Sequence, residues 1–473
     1  MAQAATVRLR TEEAPLLSRA AIQYSVKELA RRAGVDAKFF RTWRVVMEKD
    51  FVSVVVDSNS SRIRFPHAPP DFRKLIQAGK SFTATAGWMG SSPKSYALTA
   101  DFKIPFSSSA SMDLGPLFRV TAAATIDCSV DLLSSAFLTL SRFEETLPVS
   151  RDRYGRFSAV SSVAWRDGFL NRPIVDEYGL ALSEALRRLL PGWQPERPRF
   201  RVKLGHDVDE IGFPFSMRSI VGHTIRRGRP AASLRDCTAP WFGIDTDYQL
   251  LLRKVVALSQ QRGLKPAVYW KASAPGPHDT GYDPSHSSLR AMIARFQSYG
   301  LEMGIHPGYE TFESPEKLSA EVATLREVLG ETRLGGRQDF LRWSPKTWEH
   351  WEACGLAYDA SVGYADHVGF RAGTCQPYHP WLASQDRQAE LLEIPLLAMD
   401  CTLQSYMKAD ADKALQHLRD CVRRCREVGG VFTLVWHHTR LSHSGYASAY
   451  DTLLDELTGS DVYDGRISTH EIY

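Results

Sequence analysis

A short apolar run near the middle of the chain ends in the stretch Gly205-His206-Asp207-Val208-Asp209. Two carboxylates in this position can divide the work of metal-assisted hydrolysis. One of them binds a metal ion while the other stays free to take a proton from water. The alternative for an Asp pair after a strand is capping of the following helix. The choice between these interpretations depends on what the rest of the chain places nearby.

Three later segments also put chemically active side chains directly after short apolar runs. They are Gly304-Ile305-His306-Pro307, Arg337-Gln338-Asp339-Phe340 and Leu434-Val435-Trp436-His437. Together with the first stretch they supply the carboxylates of Asp207 and Asp209, the imidazoles of His306 and His437 and the guanidinium of Arg337. Hydrolysis of an amide or ester with the help of a metal needs this set, because it requires a water activator, metal ligands and an acid for the leaving group.

From about residue 199 onward, short apolar runs alternate with amphipathic helical stretches. The predicted strands are Phe200–Gly205, Ala267–Lys271, Glu302–His306, Gly335–Phe340, Ala357–Asp359, Leu391–Leu397 and Phe432–His437. This alternation favours an α/β fold with a parallel sheet, and the number of strands suggests a closed barrel. In such barrels the chemistry lies at the C-terminal ends of the strands. The sequence places there Asp207, Lys271, His306, Arg337, Asp359 and His437.

Residues 1–195 have a different pattern of strands and helices, which predicts a smaller α+β domain. The predicted strands are Phe51–Val56, Arg62–Phe65, Ser81–Thr85 and Ser95–Phe102, and the predicted helices are Ser129–Glu145 and Glu177–Leu190. The proline-rich residues 191–198 predict a linker, because paired prolines stop helices and extend the backbone. We therefore expect a second domain over residues 199–473.

Residues 23–45 resemble the first half of a MerR-type helix-turn-helix. Ser25–Glu28 predicts a capping box that opens a helix, Gly34 a turn, and Asp36 the cap of a second helix. The basic residues of that second helix are Lys38, Arg41 and Arg44. A DNA-binding protein would place it in the major groove. The alternative is an amphipathic helical pair packed on the N-terminal domain, which the small net charge of +4 favours.

The whole-chain composition excludes several classes of protein. The sequence is 44% hydrophobic and 24% charged, which is ordinary for a globular protein. No window reaches the roughly 18 uncharged apolar residues of a membrane span, and the first 21 residues lack the apolar core of a signal peptide. We therefore expect a cytoplasmic protein with reduced cysteines and no nucleic-acid partner. Motifs of serine hydrolases, P-loop enzymes and dinucleotide-binding enzymes are absent from the sequence.

The C-terminal half resembles the NodB-type polysaccharide deacetylases, carbohydrate esterase family 4. It is most similar to a bacterial branch in which that domain follows an uncharacterised N-terminal domain. The segments Ser134–Glu145, Asp152–Phe157 and Gly168–Val175 carry the N-terminal pattern of this branch, so the resemblance covers residues 130–473. It implies an irregular (β/α)7 barrel and a metal-dependent amidohydrolase that removes an acyl group, above all acetyl, from an amino sugar.

The resemblance also implies roles for single residues. In the first motif, Asp207 is the general base and Asp209 a metal ligand. In the second motif, His306 is a metal ligand, and this chain has Glu310 where the family usually has a second histidine. Residues four apart can share a helical face, and a carboxylate is an acceptable zinc ligand. Asp209, His306 and Glu310 are therefore predicted to hold zinc, or else cobalt or nickel.

The third motif of the family is matched by Arg337-Gln338-Asp339-Phe340, with an aspartate in place of the usual proline. The resemblance implies that Arg337 pairs with the base and orients it, and that the amide of Phe340 stabilises the oxyanion. Asp359 and Asp366 lie where the family orients that arginine. Arg371 belongs to the pattern of the branch and is expected to bind substrate or to order a loop.

His437 matches the last family motif and is predicted to protonate the leaving amine. His438 follows it, and only one of the two can face the pocket because neighbouring strand residues point to opposite faces. Trp436 is expected to form a wall of the sugar site.

The predicted substrate is a cytoplasmic intermediate, because no export signal is visible. A nucleotide-linked sugar, a lipid-linked sugar and a small amino-sugar metabolite all fit. Three alternatives remain from the sequence: a hydrolase of another amide or imide, a catalytically silent sugar-binding barrel, and a ligand-sensing DNA-binding regulator. The missing second histidine favours the silent barrel, and residues 23–45 favour the regulator.

Overall fold

The fold is known from a computed structural model that describes residues 17–57, 60–67, 83–87, 101–106, 115–212, 245–330 and 333–463. Residues 17–189 contain a mixed sheet with helices and are called the N-terminal part. Residues 201–463 contain parallel strands that alternate with helices and are called the C-terminal part. The chain is therefore an α/β protein, as the alternation of strand and helix patterns predicts. The exact domain boundaries stay a prediction.

The N-terminal part is built on a β-sheet. Its strands are β1 (Arg44–Met47), β2 (Phe51–Val55), β3 (Arg62–Pro66), β4 (Ala84–Gly87), β5 (Asp101–Ile104), β6 (Phe118–Ala122) and β7 (Thr125–Cys128). The main sheet has the order β1-β2-β3-β7-β6, and β4 pairs with β5. Ile63 and Phe65 are buried on one face of β3, as the two-residue period of a strand requires. The strands predicted over residues 81–85 and 95–102 lie partly outside the described residues.

Helices cover this sheet. They are α1 (Arg19–Arg32), α2 (Ala37–Phe40), α3 (Leu132–Leu140), α4 (Val163–Arg166) and α5 (Ile174–Leu189). Helix α1 packs against α3 and α5. Helix α3 is shorter than predicted, because Arg142 takes a left-handed conformation (φ 55°) and a 3-10 turn follows. Residues 190–200 contain no helix or strand, in agreement with the predicted linker.

Residues 23–45 do not form the MerR-type helix-turn-helix that they resemble in sequence. Helix α1 begins after Ser18, whose hydroxyl accepts the N–H of Ala21 at 3.0 Å, and not at Ser25, which is buried within it. Asp36 caps α2 as predicted, but α2 has only one turn and Arg44 already belongs to β1. The segment therefore has no recognition helix. It takes the alternative form, a helix packed on its own domain.

The apolar runs predict all but two, at residues 398–399 and 461–462, of the parallel strands that the C-terminal part contains. They are β8 (Arg201–Val208), β9 (Ala267–Trp270), β10 (Glu302–Ile305), β11 (Tyr358–Asp359), β14 (Leu392–Glu393), β15 (Ala398–Met399), β16 (Val431–Val435) and β17 (Asp461–Val462). The sheet has the order β10-β9-β8-β16-β15, with β17 also paired to β8. Strand β11 pairs with β14. A separate two-stranded pair consists of β12 (Trp381–Leu382) and β13 (Arg387–Gln388).

The strand predicted over residues 335–340 is reduced to one residue. Gly336 forms single bridges to Ile305 of β10 and to Asp359 of β11. A Cβ atom at this position would lie 1.8 Å from the carbonyl oxygen of Ile305, so only glycine permits the approach. At the end of the predicted strand Phe340 has a left-handed φ angle of 57°, and Leu341 follows with 54°, so extended backbone does not continue to these residues.

The helices of the C-terminal part lie between its strands. They are α6 (Asp247–Gln260), α7 (Ser287–Ser298), α8 (Pro315–Leu329), α9 (Pro345–Ala353), α10 (Ala411–Val428) and α11 (Ser444–Leu457). In α10 the carboxylate of Asp410 caps the first turn, and Gly429 ends the helix with φ 69°. Among the described residues, no helix combines the length and the apolar character that crossing a bilayer requires.

The two parts of the chain share one hydrophobic core. Leu29 and Val175 of the N-terminal part belong to the same buried cluster as Phe370 of the C-terminal part. A buried ion pair crosses the same boundary, since Arg371 donates to Glu145 at 2.9 Å through its Nε. Arg371 is 3% exposed and also donates to the carbonyl of Gly363 at 2.8 Å. Arg371 is thus fixed at the boundary between the two parts, and its role in substrate binding or loop ordering stays a prediction.

Two buried carboxyl groups lie next to each other beneath the strand ends. Asp359 of β11 and Glu393 of β14 are in register, and both are fully buried. Burial raises the pKa of Asp359 to about 6. Burial, together with the charge of Asp359, raises the pKa of Glu393 well above its ordinary value. The folded protein therefore holds more protons on this pair than the unfolded chain does at mildly acidic pH.

This pair makes the stability of the protein depend on pH. Because the folded pKa values are raised, its contribution is most favourable below the unfolded pKa of about 4 and is lost as the pH rises through about 6. Glu393→Gln removes one titrating group and lets Asp359 ionise more easily. We expect the free energy of unfolding to fall less between about pH 4 and 8 in the variant than in the wild type. Urea unfolding across this range measures it, and equal decreases would contradict the prediction.

Candidate active site

The first two acidic residues of the site come from the end of β8. Asp207 and Asp209 point to the same side because strand side chains alternate between faces. Asp207 is 2% exposed, and its Oδ1 lies 2.6 Å from Nη1 of Arg337. The side chain of Asp209 is 40% exposed. One carboxylate is thus fixed in an ion pair while the other faces the open side.

Arg337 is held on several sides. Its Nε donates to the carbonyl of Ala360 at 3.0 Å, and its guanidinium lies 5.1 Å from the ring centre of Tyr269. A Cβ atom at Gly205 would come within 3.2 Å of its Nη1, so the glycine before the acidic pair gives the guanidinium its space. The predicted pairing of Arg337 with Asp207 is present in this geometry.

The two aspartates expected to orient Arg337 make other contacts. Asp359 accepts the backbone N–H of Ser361 at 2.9 Å, and Ala360 supplies the acceptor for the arginine instead. Asp366 accepts the backbone N–H of Ala159 at 3.0 Å and therefore contacts the N-terminal part.

His306 brings a ring nitrogen to the same place. Its Nδ1–H donates to the carbonyl oxygen of Arg337 at 2.7 Å, which leaves Nε2 facing the site. This Nε2 lies 3.0 Å from Oδ1 of Asp209 and 3.2 Å from Oδ1 of Asp339. Asp209, His306 and Asp339 each offer one ligand atom within 4.8 Å of the others. We call these three residues the candidate metal cluster.

Glu310, the predicted third ligand, is not part of this cluster. Its side chain is 62% exposed, and its nearest charged partner is Lys317, with Oε2 3.8 Å from Nζ. The prediction assumed a helical i, i+4 pair with His306. Gly308 is extended (φ −63°, ψ 165°), however, and only a short 3-10 turn follows at Tyr309–Thr311. The two side chains therefore do not share a helical face, and Asp339 provides the third carboxylate.

A buried lysine lies behind the cluster. The Nζ of Lys271 is 2.8 Å from Asp339 and 2.7 Å from Asp279, and 3.8 Å from Asp209. Asp279 also accepts the backbone N–H of Tyr309 at 2.9 Å. Three carboxylates and one ammonium leave a net charge of −2 beside His306. This charge has the size that a divalent cation would neutralise.

The pKa values report the same excess of negative charge. Burial alone would lower the pKa of His306, but Asp207, Asp209 and Asp339 raise it to about 10. Burial would raise the pKa of Asp209, whereas its contact with His306 lowers it. An imidazole nitrogen, two carboxylates and a negative field fit a divalent cation, and the hydrogen bond from Nδ1 fixes the imidazole for ligation.

A second histidine faces the cluster from the end of β16. Nε2 of His437 lies 3.4 Å from Oδ2 of Asp209, and its Nδ1–H donates to Oδ1 of Asp400 at 2.6 Å. Asp400 is fully buried and also accepts from Nε of Arg440 at 2.7 Å. Burial would lower the pKa of His437, yet Asp400 raises it well above its ordinary value. His437 can therefore carry a proton beside Asp209.

The neighbours of His437 point away from the site. His438 donates from Nε2 to the carbonyl of Glu210 at 2.9 Å, and burial lowers its pKa to about 4. Trp436 is 1% exposed and stacks on Tyr450, with ring centres 4.7 Å apart. The expectation that Trp436 forms a wall of the pocket is therefore wrong, because this ring fills the core between β16 and α11.

Phe340 lies at the rim, but its amide already has a partner. The N–H donates to Oδ1 of Asp339 at 2.9 Å, so the amide predicted to stabilise an oxyanion is engaged within its own loop. The half-buried ring contacts Tyr154 of the N-terminal part and Tyr309, at centre-to-centre distances of 5.0 and 5.2 Å. The predicted oxyanion role of this amide is thus not shown.

Sequence reasoning missed four members of the site. Lys271 was placed at the correct sheet edge without a role, and Asp339 was recorded only as a departure from a motif. Asp400 follows shortly after a predicted strand, a position that matches those of Asp207 and His306. Asp279 lies in an irregular segment, where no periodic pattern marks it.

One family model matches the N-terminal part of the chain. Residues 9–191 match the profile of DUF7033, a family of unknown function, which is consistent with an uncharacterised N-terminal domain. A comparison with curated proteins finds no match.

Three solved structures resemble the chain weakly. A protein from Mycobacterium smegmatis assigned as a polysaccharide deacetylase is 15% identical, with a TM-score of 0.39, over 58% of this chain and 89% of that one. The allantoinase PuuE is 13% identical, with a TM-score of 0.41, over 59% and 94%. A protein from Pseudomonas aeruginosa PAO1 assigned as a polysaccharide deacetylase is 14% identical, with a TM-score of 0.38, over 56% and 86%. Similarity at this level assigns no function, so the site itself has to carry the proposal.

Asp400→Asn tests the electrostatic link to His437. Asparagine can still accept a hydrogen bond from Nδ1 but carries no charge, so the pKa of His437 should fall. NMR titration of the imidazole in metal-free protein measures the shift, with the exposed Asp420→Asn as control. An unchanged pKa in Asp400→Asn would show that the carboxylate does not govern this proton.

Proposed function

We propose that the protein is a metal-dependent hydrolase that removes an acyl group, acetyl above all, from the nitrogen of an amino sugar. One observation carries the proposal: a fixed carboxylate, a three-ligand cluster and a charged imidazole meet around Asp209. Its two oxygens lie 3.0 Å from His306 and 3.4 Å from His437. A base, a cation site and an acid placed side by side are the requirements for amide hydrolysis.

Asp209, His306 and Asp339 would hold the cation, and zinc suits a set of one imidazole and two carboxylates. A divalent cation at this site supplies Lewis-acid chemistry, which polarises the scissile carbonyl and makes water more acidic. Lys271 stays out of the ligand set, because its ammonium has no lone pair to donate. Its contacts with Asp339 and Asp279 hold the cluster in place.

The proton transfers fall to the residues on either side of the cluster. Asp207 takes a proton from the attacking water, whose oxygen bonds to the amide carbon, and Arg337 keeps the carboxylate in position. On collapse of the tetrahedral intermediate the C–N bond breaks, and His437 gives its proton to the departing nitrogen. Asp400 orients the imidazole and stabilises its charged form. The products are a carboxylate, acetate for an acetyl group, and a free amine.

The substrate class and the fold details belong to the same proposal. The resemblance to the deacetylase motifs supports an N-acetylated amino sugar, either free or linked to a nucleotide or a lipid. We also infer that the strands of the C-terminal part form an irregular (β/α)7 barrel. The bridges of Gly336 to both β10 and β11 support this inference.

The ligand set can be tested with a matched pair of variants. Asp339→Ala removes a ligand and should lose most of its bound zinc on dialysis. Glu310→Ala removes an exposed carboxylate and should keep its zinc. Zinc content per chain, measured beside wild type, decides the matter. The assignment would be reversed if Glu310→Ala lost the metal and Asp339→Ala retained it.

The role of Asp207 predicts a loss of turnover without a loss of metal. Asp207→Asn should release acetate from an accepted N-acetyl amino sugar roughly 10²–10⁴-fold more slowly, the usual contribution of a general base. Its zinc content should stay near that of wild type. The assay uses free, nucleotide-linked and lipid-linked N-acetyl amino sugars. Wild-type rates in the variant would refute the role. Absence of both zinc and acetate release in wild type would refute the proposed function in favour of a silent binding protein.

A further inference from the structure

A tight turn of the N-terminal part lies at the rim of the candidate active site. It covers residues 152–156 and is closed by Asp152, whose Oδ1 accepts the N–H groups of Tyr154 and Arg156, both at 2.9 Å. Oδ2 of Asp152 accepts from Nε of Arg156 at 2.8 Å. The arginine is 5% exposed. Contacts within the turn therefore fix both its backbone and its side chain, independently of its contacts with the C-terminal part.

Two reciprocal hydrogen bonds join this turn to residues 339–342, the segment that contains Asp339, the third member of the candidate metal cluster. Nη1 of Arg156 donates to the carbonyl of Phe340 at 3.0 Å. In the other direction, Nε of Arg342 donates to the carbonyl of Tyr154 at 3.1 Å. A charged donor makes each of these bonds stronger than a neutral pair would be.

The 339–342 segment has a backbone that depends on such contacts. Phe340 and Leu341 have φ angles of 57° and 54°, a left-handed conformation that non-glycine residues adopt at a cost. Asp339 directly precedes them, and its Oδ1 lies 3.2 Å from Nε2 of His306. A relaxed loop would therefore move this carboxylate away from the histidine.

The same guanidinium also reaches the other side of the site. Nη2 of Arg156 donates to the hydroxyl of Tyr406 at 2.7 Å. Tyr406 ends the short π-helix Thr402–Tyr406, which follows Asp400. Arg156 thus connects the loop after Asp339 with the segment after Asp400.

We propose that Arg156 is a positioning residue for the candidate metal cluster, so that the N-terminal part sets the metal affinity of a site whose ligands all lie in the C-terminal part. The inference rests on the metal site of the proposed function. Arg156 touches no ligand atom. It acts through the Phe340 carbonyl, which keeps the left-handed loop and therefore the Asp339 carboxylate in place.

The experiment uses the full chain and Co²⁺ as the probe. Arg156→Ala should raise the Kd for Co²⁺ about tenfold, within the range found when outer partners of metal ligands are removed. The visible spectrum of bound Co²⁺ should change toward that of Asp339→Ala, because the same carboxylate is displaced. Arg156→Lys cannot reach Asp152, Phe340 and Tyr406 together and should show a smaller change of the same sign. It replaces Arg156→Ala if that variant does not fold.

Two controls separate this role from general destabilisation. Arg64→Ala breaks an ion pair with Asp127 (2.6 Å) in the N-terminal sheet, away from the loop. Tyr406→Phe removes only the hydroxyl that accepts from Arg156. Both controls should keep the wild-type Kd and spectrum. Unchanged Co²⁺ binding in both Arg156 variants, or an equal loss in Arg64→Ala, would overturn the inference.

A second readout works without metal. Hydrogen exchange of a peptide covering residues 336–344 should be faster in metal-free Arg156→Ala than in wild type, because the loop loses one of the two hydrogen bonds that join it to the turn. Wild-type protein without affinity for Co²⁺ would refute the proposed function, and the exchange result would still decide whether Arg156 holds the loop. An unchanged exchange rate in Arg156→Ala would show that Arg156 does not hold the loop.

Discussion

The position of the buried Arg337 is the constraint on which the candidate site depends. Its side chain holds Asp207 at 2.6 Å, and its backbone carbonyl accepts from His306 at 2.7 Å. One residue therefore orients both the proposed base and a proposed metal ligand. Gly205 leaves room for the guanidinium, and Gly336 lets the strand ends approach closely enough to place it. The two glycines and the arginine form one geometric unit, although they come from separate segments of the chain.

The second constraint is charge. Asp209, Asp279 and Asp339 lie within a few ångströms of one another, and buried carboxylates are costly unless they are paired. Lys271 compensates part of this charge, and the raised pKa of His306 shows that the remainder attracts a proton when no other cation is bound. A divalent cation at the proposed site would therefore compete with this proton for the same nitrogen, and its binding would release the proton.

The periodic pattern of apolar residues predicted the helices and strands, but it did not predict the geometry of the loops. Apolar runs gave the strands that carry Asp207 and His437, because burial of strands and helices leaves a periodic trace in the sequence. The positions of the site residues also depend on loops, which this pattern does not predict. Glu310 was expected to reach His306 through a helical turn, but the chain is extended at Gly308. The sequence marks Asp339 only as a departure from a motif, because two left-handed residues follow it and such backbone angles leave no periodic pattern.

The two domains predicted from the sequence are less separate in the structure than the sequence indicates. The proline-rich residues 191–198 predict separate units, yet one hydrophobic core runs through both parts, and Arg371 pairs with Glu145 across the boundary. Breaking such a buried pair costs about 3–5 kcal/mol when one partner is left unpaired. The N-terminal part therefore stabilises the loops that carry the site. A part of the chain whose described residues contribute none of the candidate metal cluster can thus still shape that cluster in the neighbouring part.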